Sequence, residues 1–143
     1  MLPSRNAVTE GSFEVKNEVY YDALVWLDHS EAHIIYVSAG ISDPQNSKPD
    51  HWSRHVCQDH VLSTHASTIA RQALYCDVAK FCSESNSIVL AGLTSAKTEF
   101  VKYLHRHSPE TLERVSGIET LARLTDLQLV SEARRFFAGH AYM

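Results

Sequence analysis

Four histidines, His51, His55, His60 and His65, crowd one stretch of a chain that holds nine, and Cys57 follows His55 by two residues. Imidazole and thiolate are the ligands that zinc-class ions prefer, so His51, His55 and Cys57 form a metal candidate. The tight paired spacing of a structural zinc motif is missing, and scattered surface histidines explain the same pattern. A nucleophile needs a base beside it. Ser95 and Cys57 are each available to pair with a histidine, yet no G-x-S-x-G turn presents the serine and no base is assigned by spacing. Gly92-Leu93-Thr94-Ser95-Ala96-Lys97 offers different chemistry: free amides and the helix dipole could hold a phosphate there, with Lys97 assisting. The G-x-x-x-x-G-K-[ST] pattern is absent, and a helix capped by Thr94 or Ser95 with Lys97 in solvent is the alternative. Lys97, Lys102, Arg106 and Arg114, with His105 and His107, add a cationic stripe. It suits RNA phosphates, and it equally suits the negative end of a helix dipole.

The elements that must position these groups are read from periodicity. Residues 1–18 show no sustained period and are expected to be a mobile arm preceding a single domain at 19–143. Tyr21 to Leu27 and Ala32 to Val37 are strand-like and flank the polar break Asp28-His29-Ser30-Glu31, which predicts a hairpin. Residues 42–50 are dense in turn formers and predict a loop. His51 to Val56 predicts a third strand, with Trp52, Arg54 and Val56 on one face and His51, Ser53 and His55 on the other. Ser63 to Cys82 predicts a helix with a stripe at Ala70, Leu74, Val78 and Phe81, widened by Ile69, Ala73 and Cys76.

Ser87 to Ala91 is a continuous apolar run, the pattern of a central strand buried on both faces. The turn after it leads into a helix that buries Phe100, Val101 and Leu104 and places Glu99 and Lys102 to pair outside. Ser108-Pro109 predicts a capped short helix to Arg114. Val115 to Leu121 predicts a strand weakened by Gly117. Thr125 to Gln128 has the capping-box form, opening a helix with Leu129, Val130, Ala133, Phe136 and Phe137 inward and Gly139 as its stop.

Composition bounds the function. At 143 residues one core suffices, and 44% hydrophobic with 21% charged residues is ordinary for a globular protein. No window approaches the roughly 20 apolar residues of a membrane span, and the first nineteen residues lack a signal peptide's apolar core, so a cytoplasmic protein is expected. Three cysteines without C-x-x-C spacing suit a reducing compartment. A net charge of −4 argues against sequence-blind nucleic-acid binding by the whole surface, but residues 95–115 carry a local excess of Lys and Arg.

The order βββ-α-β-α-β-α is that of a ribonuclease-H-like α/β fold with a mixed five-stranded sheet. Nucleases on that fold converge several acids on two metal ions. Asp28 and Asp77 are present, but the fourth strand reads Ile88-Val89-Leu90-Ala91, so the acid set is incomplete. Asp28 is better read as a turn acid and Asp77 as a solvated one.

Ala23 to Ala32, Ser95-Ala96-Lys97-Thr98-Glu99-Phe100, Gly117 to Leu121 and Thr125-Asp126-x-Gln128-Leu129-Val130 resemble small bacterial translational machinery proteins. These are similar to the middle domain of class 1 peptide release factors and of Pelota. The resemblance implies a non-catalytic protein without a cofactor that binds the ribosome, ribosomal RNA or a translation factor. Its contact surface would hold Thr94, Ser95, Lys97, Lys102 and Arg106. The Gly-Gly-Gln loop of release factors is missing, since no two glycines are adjacent. Gly92-Leu93-Thr94 stands where relatives tend to have Gly-Pro-Gly, and Leu127 stands in place of a glycine. Two other readings are a metal- or phosphate-dependent hydrolase using the histidine-rich segment or the Gly92 to Lys97 turn, and an oligomeric structural module.

Overall fold

A computed structural model describes residues 21–38, 51–57 and 64–140. The arm expected at 1–18, the loop expected at 42–50 and His60 lie outside the described residues. Strands β1 (Tyr21–Leu27) and β2 (Glu31–Ser38) form the expected antiparallel hairpin. Asp28 closes its turn: Oδ1 accepts the amides of Ser30 at 2.8 Å and Glu31 at 2.9 Å. A short carboxylate that bonds the backbone two or three residues on is what stabilises such turns. Strand β3 (His51–Cys57) pairs antiparallel with β2.

Helix α1 (Thr64–Cys82) leads to β4 (Ile88–Gly92), which is buried at every position as a central strand should be. Helices α2 (Ala96–His107) and α3 (Pro109–Leu112) precede β5 (Val115–Thr120), and α4 (Asp126–His140) follows it. The sheet runs β3-β2-β1-β4-β5, with β1, β4 and β5 mutually parallel. The described residues therefore form an α/β structure on a mixed five-stranded sheet.

Alternation along the strands gives each face its own core. Val25, Leu27, Ile34, Tyr36, Ile88 and Leu90 pack toward α1 and α2 with Leu74, Tyr75, Val78, Phe100 and Leu104. Leu24, Trp26, Ile35, Val37, Val89 and Ala91 pack toward α4 with Leu129, Val130, Ala133 and Phe137. The capping box at the start of α4 is complete, with the Thr125 amide donating to Gln128 Oε1 at 3.0 Å and the Gln128 amide to Thr125 Oγ1 at 3.2 Å.

Four local expectations are corrected. The buried stripe of α1 is Leu74, Tyr75, Val78, Ala79 and Cys82, while Ile69 is 64% exposed, because the helix turns Tyr75 down onto Phe100. Glu99 is directed across to the β1–β2 turn and to α1 rather than along its own helix to Lys102. Ser108 opens α3 with its carbonyl, which accepts the Thr111 and Leu112 amides, and its hydroxyl makes no cap. Gly139 does not stop α4, which continues to His140.

Candidate functional site

The carboxyl ends of β1, β3 and β4 and the amino end of β2 all meet at one end of the sheet. Ligands of open α/β sheets collect outside the carboxyl ends of parallel strands. Two polar clusters lie here, one on each face.

The first surrounds the turn after β4. Ser95 occupies the N-cap position of α2 but makes no side-chain cap, and the Ala96 amide is taken by Thr94 Oγ1 at 3.2 Å instead. Lys97 folds back so that its ammonium donates to the Gly92 carbonyl at 2.9 Å, and it is half-buried there. Glu99 is the hub of this cluster. Its Oε1 accepts the Tyr75 hydroxyl at 2.9 Å and lies 3.5 Å from Arg71 Nη1, while Oε2 is 3.2 Å from His29 Nε2. The β1–β2 turn, α1 and α2 are thereby tied at one carboxylate.

Ser95 Oγ also lies 3.3 Å from His29 Nε2. A hydrolytic triad requires the histidine to meet its nucleophile with one ring nitrogen and its acid with the other. Here the serine and the glutamate meet the same nitrogen, so the three side chains form a clasp and not a proton relay.

Burial opposes ionisation of Glu99, but the Tyr75 hydroxyl, then His29 and Arg71, outweigh it and hold the carboxyl below the usual glutamate range. A group held lower in the folded state adds stability that is complete above its unfolded pKa and is lost as pH falls through the folded value. Glu99→Gln should therefore flatten the acid limb of stability below about pH 4.5. It should lower neutral-pH stability by only about 0.5–1 kcal/mol, because the group is partly exposed and screened. Urea midpoints measured across pH check this, and profiles of wild type and variant that run parallel would refute it.

The second cluster is on the α4 face. Register pairs Glu31 with Cys57 and His33 with His55, so the four side chains occupy the corners of one patch. Glu31 Oε1 lies 2.8 Å from His55 Nε2 and 3.3 Å from His33 Nε2, and Oε2 lies 2.7 Å from Arg123 Nη1. The two imidazoles stack at 4.2 Å, and Cys57 Sγ is 3.2 Å from His55 Nε2. On the far side of His33, Nδ1 is 3.5 Å from Asp126 Oδ1. Burial, then the charges of Arg123 and His55, hold the His33 pKa below its usual value against the pull of Glu31. For Glu31, burial is outweighed by His55, Arg123 and His33, which hold its carboxyl low.

The remaining candidates are distributed more widely. Lys102 and Arg106 are exposed on one line of α2, a turn apart, but Lys97 is drawn away from that line to Gly92. His105 and His107 are exposed near the end of α2, and Arg114 bonds the Ser83 and Ser85 carbonyls instead of extending the stripe. His51 stands at the opposite end of β3 from Cys57, 3.2 Å from Arg134 Nη2, so the trio His51, His55 and Cys57 does not come together. Asp28 serves the turn, and Asp77 is exposed on α1. Residues not singled out from spacing, Glu31, His33, Arg123 and Asp126, complete the patch around His55. The usable signal is Glu31-x-His33 and His55-x-Cys57, two same-face pairs on strands that become neighbours.

No protein-family model matches the chain, and no curated protein matches it. Among solved structures it is similar to Pelota of Archaeoglobus fulgidus, with a TM-score of 0.56 and 10% identity over 90% of this chain and 36% of that one. It is also similar to the archaeal translation termination factor aRF1, with a TM-score of 0.51 and 10% identity over 85% of this chain and 40% of that one. The chain thus spans well under half the length of either protein, and the likeness is one of fold.

Proposed function

We propose that this chain is a non-catalytic, translation-associated binding protein of ribonuclease-H-like fold, acting in the cytoplasm on a ribosomal RNA surface. Residues 19–143 would act as its single domain. The supporting observation is the likeness of its fold to Pelota and to aRF1, the latter a translation termination factor, over at least 85% of this chain. The strand order β3-β2-β1-β4-β5 agrees with a ribonuclease-H-like arrangement.

Function on such a fold depends on the site it carries. Lys102 and Arg106, exposed on the outer line of α2, would contact phosphates, with Thr94 and Ser95 exposed at the head of the helix. Lys97 would hold the turn through Gly92. Peptide release is not part of the proposal, because no two glycines are adjacent.

Co-sedimentation with ribosomes at two salt concentrations tests the reading. Neutralising a phosphate releases counterions, and each contact contributes about 0.7–0.9 to the slope of log affinity against log salt. Lys102→Glu combined with Arg106→Glu should cut the pelleted fraction at low salt by about tenfold or more and reduce that slope by about 1.4–1.8. A protein absent from ribosomal fractions at both salts, and without affinity for isolated ribosomal RNA, would contradict it.

A further inference from the structure

We propose that Glu31, His33, His55 and Cys57 bind a single zinc-class divalent ion that pins the edge strand β3 to β2 and to the start of α4. The proposal follows first from register. Opposed residues of an antiparallel pair, and residues two apart on one strand, put their side chains on the same face. Glu31 opposite Cys57 and His33 opposite His55 therefore place four side chains of metal-ligating type at the corners of one patch.

Three of the four are already drawn together. One ligand atom each from Glu31, His33 and His55 lie within 4.8 Å of one another. Glu31 Oε1 is 2.8 Å from His55 Nε2 and 3.3 Å from His33 Nε2, and Cys57 Sγ is 3.2 Å from His55 Nε2. A tetrahedral ion with bonds of about 2.0–2.3 Å holds its ligands roughly 3.3–3.8 Å apart, so Glu31, His33 and His55 need shift little beyond a tilt of the two stacked imidazoles, while the Cys57 thiol must turn in from beside His55 to complete the set.

The surroundings are those of a supported site. Ligating histidines commonly direct their second nitrogen at a carboxylate, and ligating carboxylates are themselves hydrogen-bonded. His33 Nδ1 faces Asp126 Oδ1 at 3.5 Å, and Glu31 Oε2 is held by Arg123 at 2.7 Å. Arg123 is in turn placed over the Trp26 ring, 5.4 Å from its centroid, and the Trp26 indole donates to the Leu121 carbonyl at 2.9 Å. Two imidazoles, a thiolate and a carboxylate select zinc, and cobalt as its spectroscopic substitute, over calcium or magnesium. With four protein ligands the site would be closed and structural, and binding would release the Cys57 proton.

The test uses the full chain without a histidine tag, stripped with chelator and titrated with Zn²⁺ or Co²⁺ alone. Competition against a chromophoric chelator should give one equivalent of Zn²⁺ and raise the thermal midpoint. Co²⁺ should give the intense visible bands of tetrahedral coordination and a thiolate-to-cobalt charge-transfer band, which Cys57→Ser removes. His55→Ala changes an exposed side chain and leaves the core intact, so it should fold and lose stoichiometric binding, as should Glu31→Gln. Asp126→Asn should weaken affinity by about 10–100-fold. His105→Ala, on the exposed side of α2, should bind as wild type does. No stoichiometric binding, or binding that survives both His55→Ala and Glu31→Gln, overturns the site. A cobalt spectrum without the charge-transfer band overturns the place of Cys57 in it.

Discussion

Gly92→Ala should destabilise the protein by about 3 kcal/mol or more, the sum of positive-φ strain and overpacking against fixed backbone. Gly92 ends β4 with φ 150°, in a half of conformational space that side-chain-bearing residues rarely enter. A Cβ there would stand 2.5 Å from the Leu27 carbonyl oxygen on the neighbouring strand. That oxygen is backbone, and Leu27 is held in register with Ala32 while the preceding Trp26 is held against Ala91, so it has little room to swing aside. Gly92 also accepts the Leu121 amide at 3.2 Å and the Lys97 ammonium at 2.9 Å, so displacing it disturbs the turn that launches α2. Gly117→Ala supplies the comparison. Its Cβ would come within 2.6 Å of Phe136 Cζ, the tip of a side chain at the sheet surface, so a shift of that ring relieves the clash. The loss should be about 1 kcal/mol, within the ordinary range for a single substitution. Urea denaturation with unchanged slopes measures both, and equal midpoints for the two variants would refute the distinction.

The feature that bars a side chain at Gly92 was not legible from spacing. Gly92-Leu93-Thr94 reads as a departure from a glycine-rich turn, which concerns phosphate binding, whereas the clash that an added Cβ would meet comes from Leu27, a residue far away in sequence. The elements themselves were legible because each carries its own period. The run Ile88 to Ala91 identified the central strand, and Thr125 with Gln128 identified the start of α4 down to both hydrogen bonds.

The site was legible only in fragments. His55 and Cys57 stood out because their residue types are unusual side by side, yet their partners Glu31 and His33 are set by the register between β2 and β3. Slipping that register by one residue would send the two pairs to opposite faces. His51 was grouped with them by proximity in sequence, but on a strand four residues is the length of a patch, and it meets Arg134 instead. Glu99 was paired with Lys102 because local rules see only neighbours on the same helix. The tertiary fold brings it a buried tyrosine, whose hydroxyl needs an acceptor, and that requirement decides its orientation.

Phe100→Ala should produce the second large effect, a loss of about 3–5 kcal/mol. Phe100 is fully buried beneath α2, with its ring 5.6 Å from Tyr75 and 6.3 Å from Tyr103. Truncation removes apolar contact and leaves a cavity that neighbouring strands cannot fill by moving. Phe100→Leu retains part of the volume and should lose correspondingly less. The ring also braces Tyr75, whose hydroxyl reaches Glu99 at 2.9 Å, so core packing and the Glu99 clasp are mechanically linked. Tyr75→Phe alone should cost about 1 kcal/mol by deleting that bond. Made in the Phe100→Ala background it should cost less, since a Tyr75 ring free to tilt already holds the bond poorly. A double-mutant cycle should give a coupling of at least about 0.5 kcal/mol, as residues sharing a packed contact do. Strict additivity would mean that the clasp is positioned by α1 and α2 backbones alone, and that the aromatic layer beneath it has no part in holding Glu99 against His29.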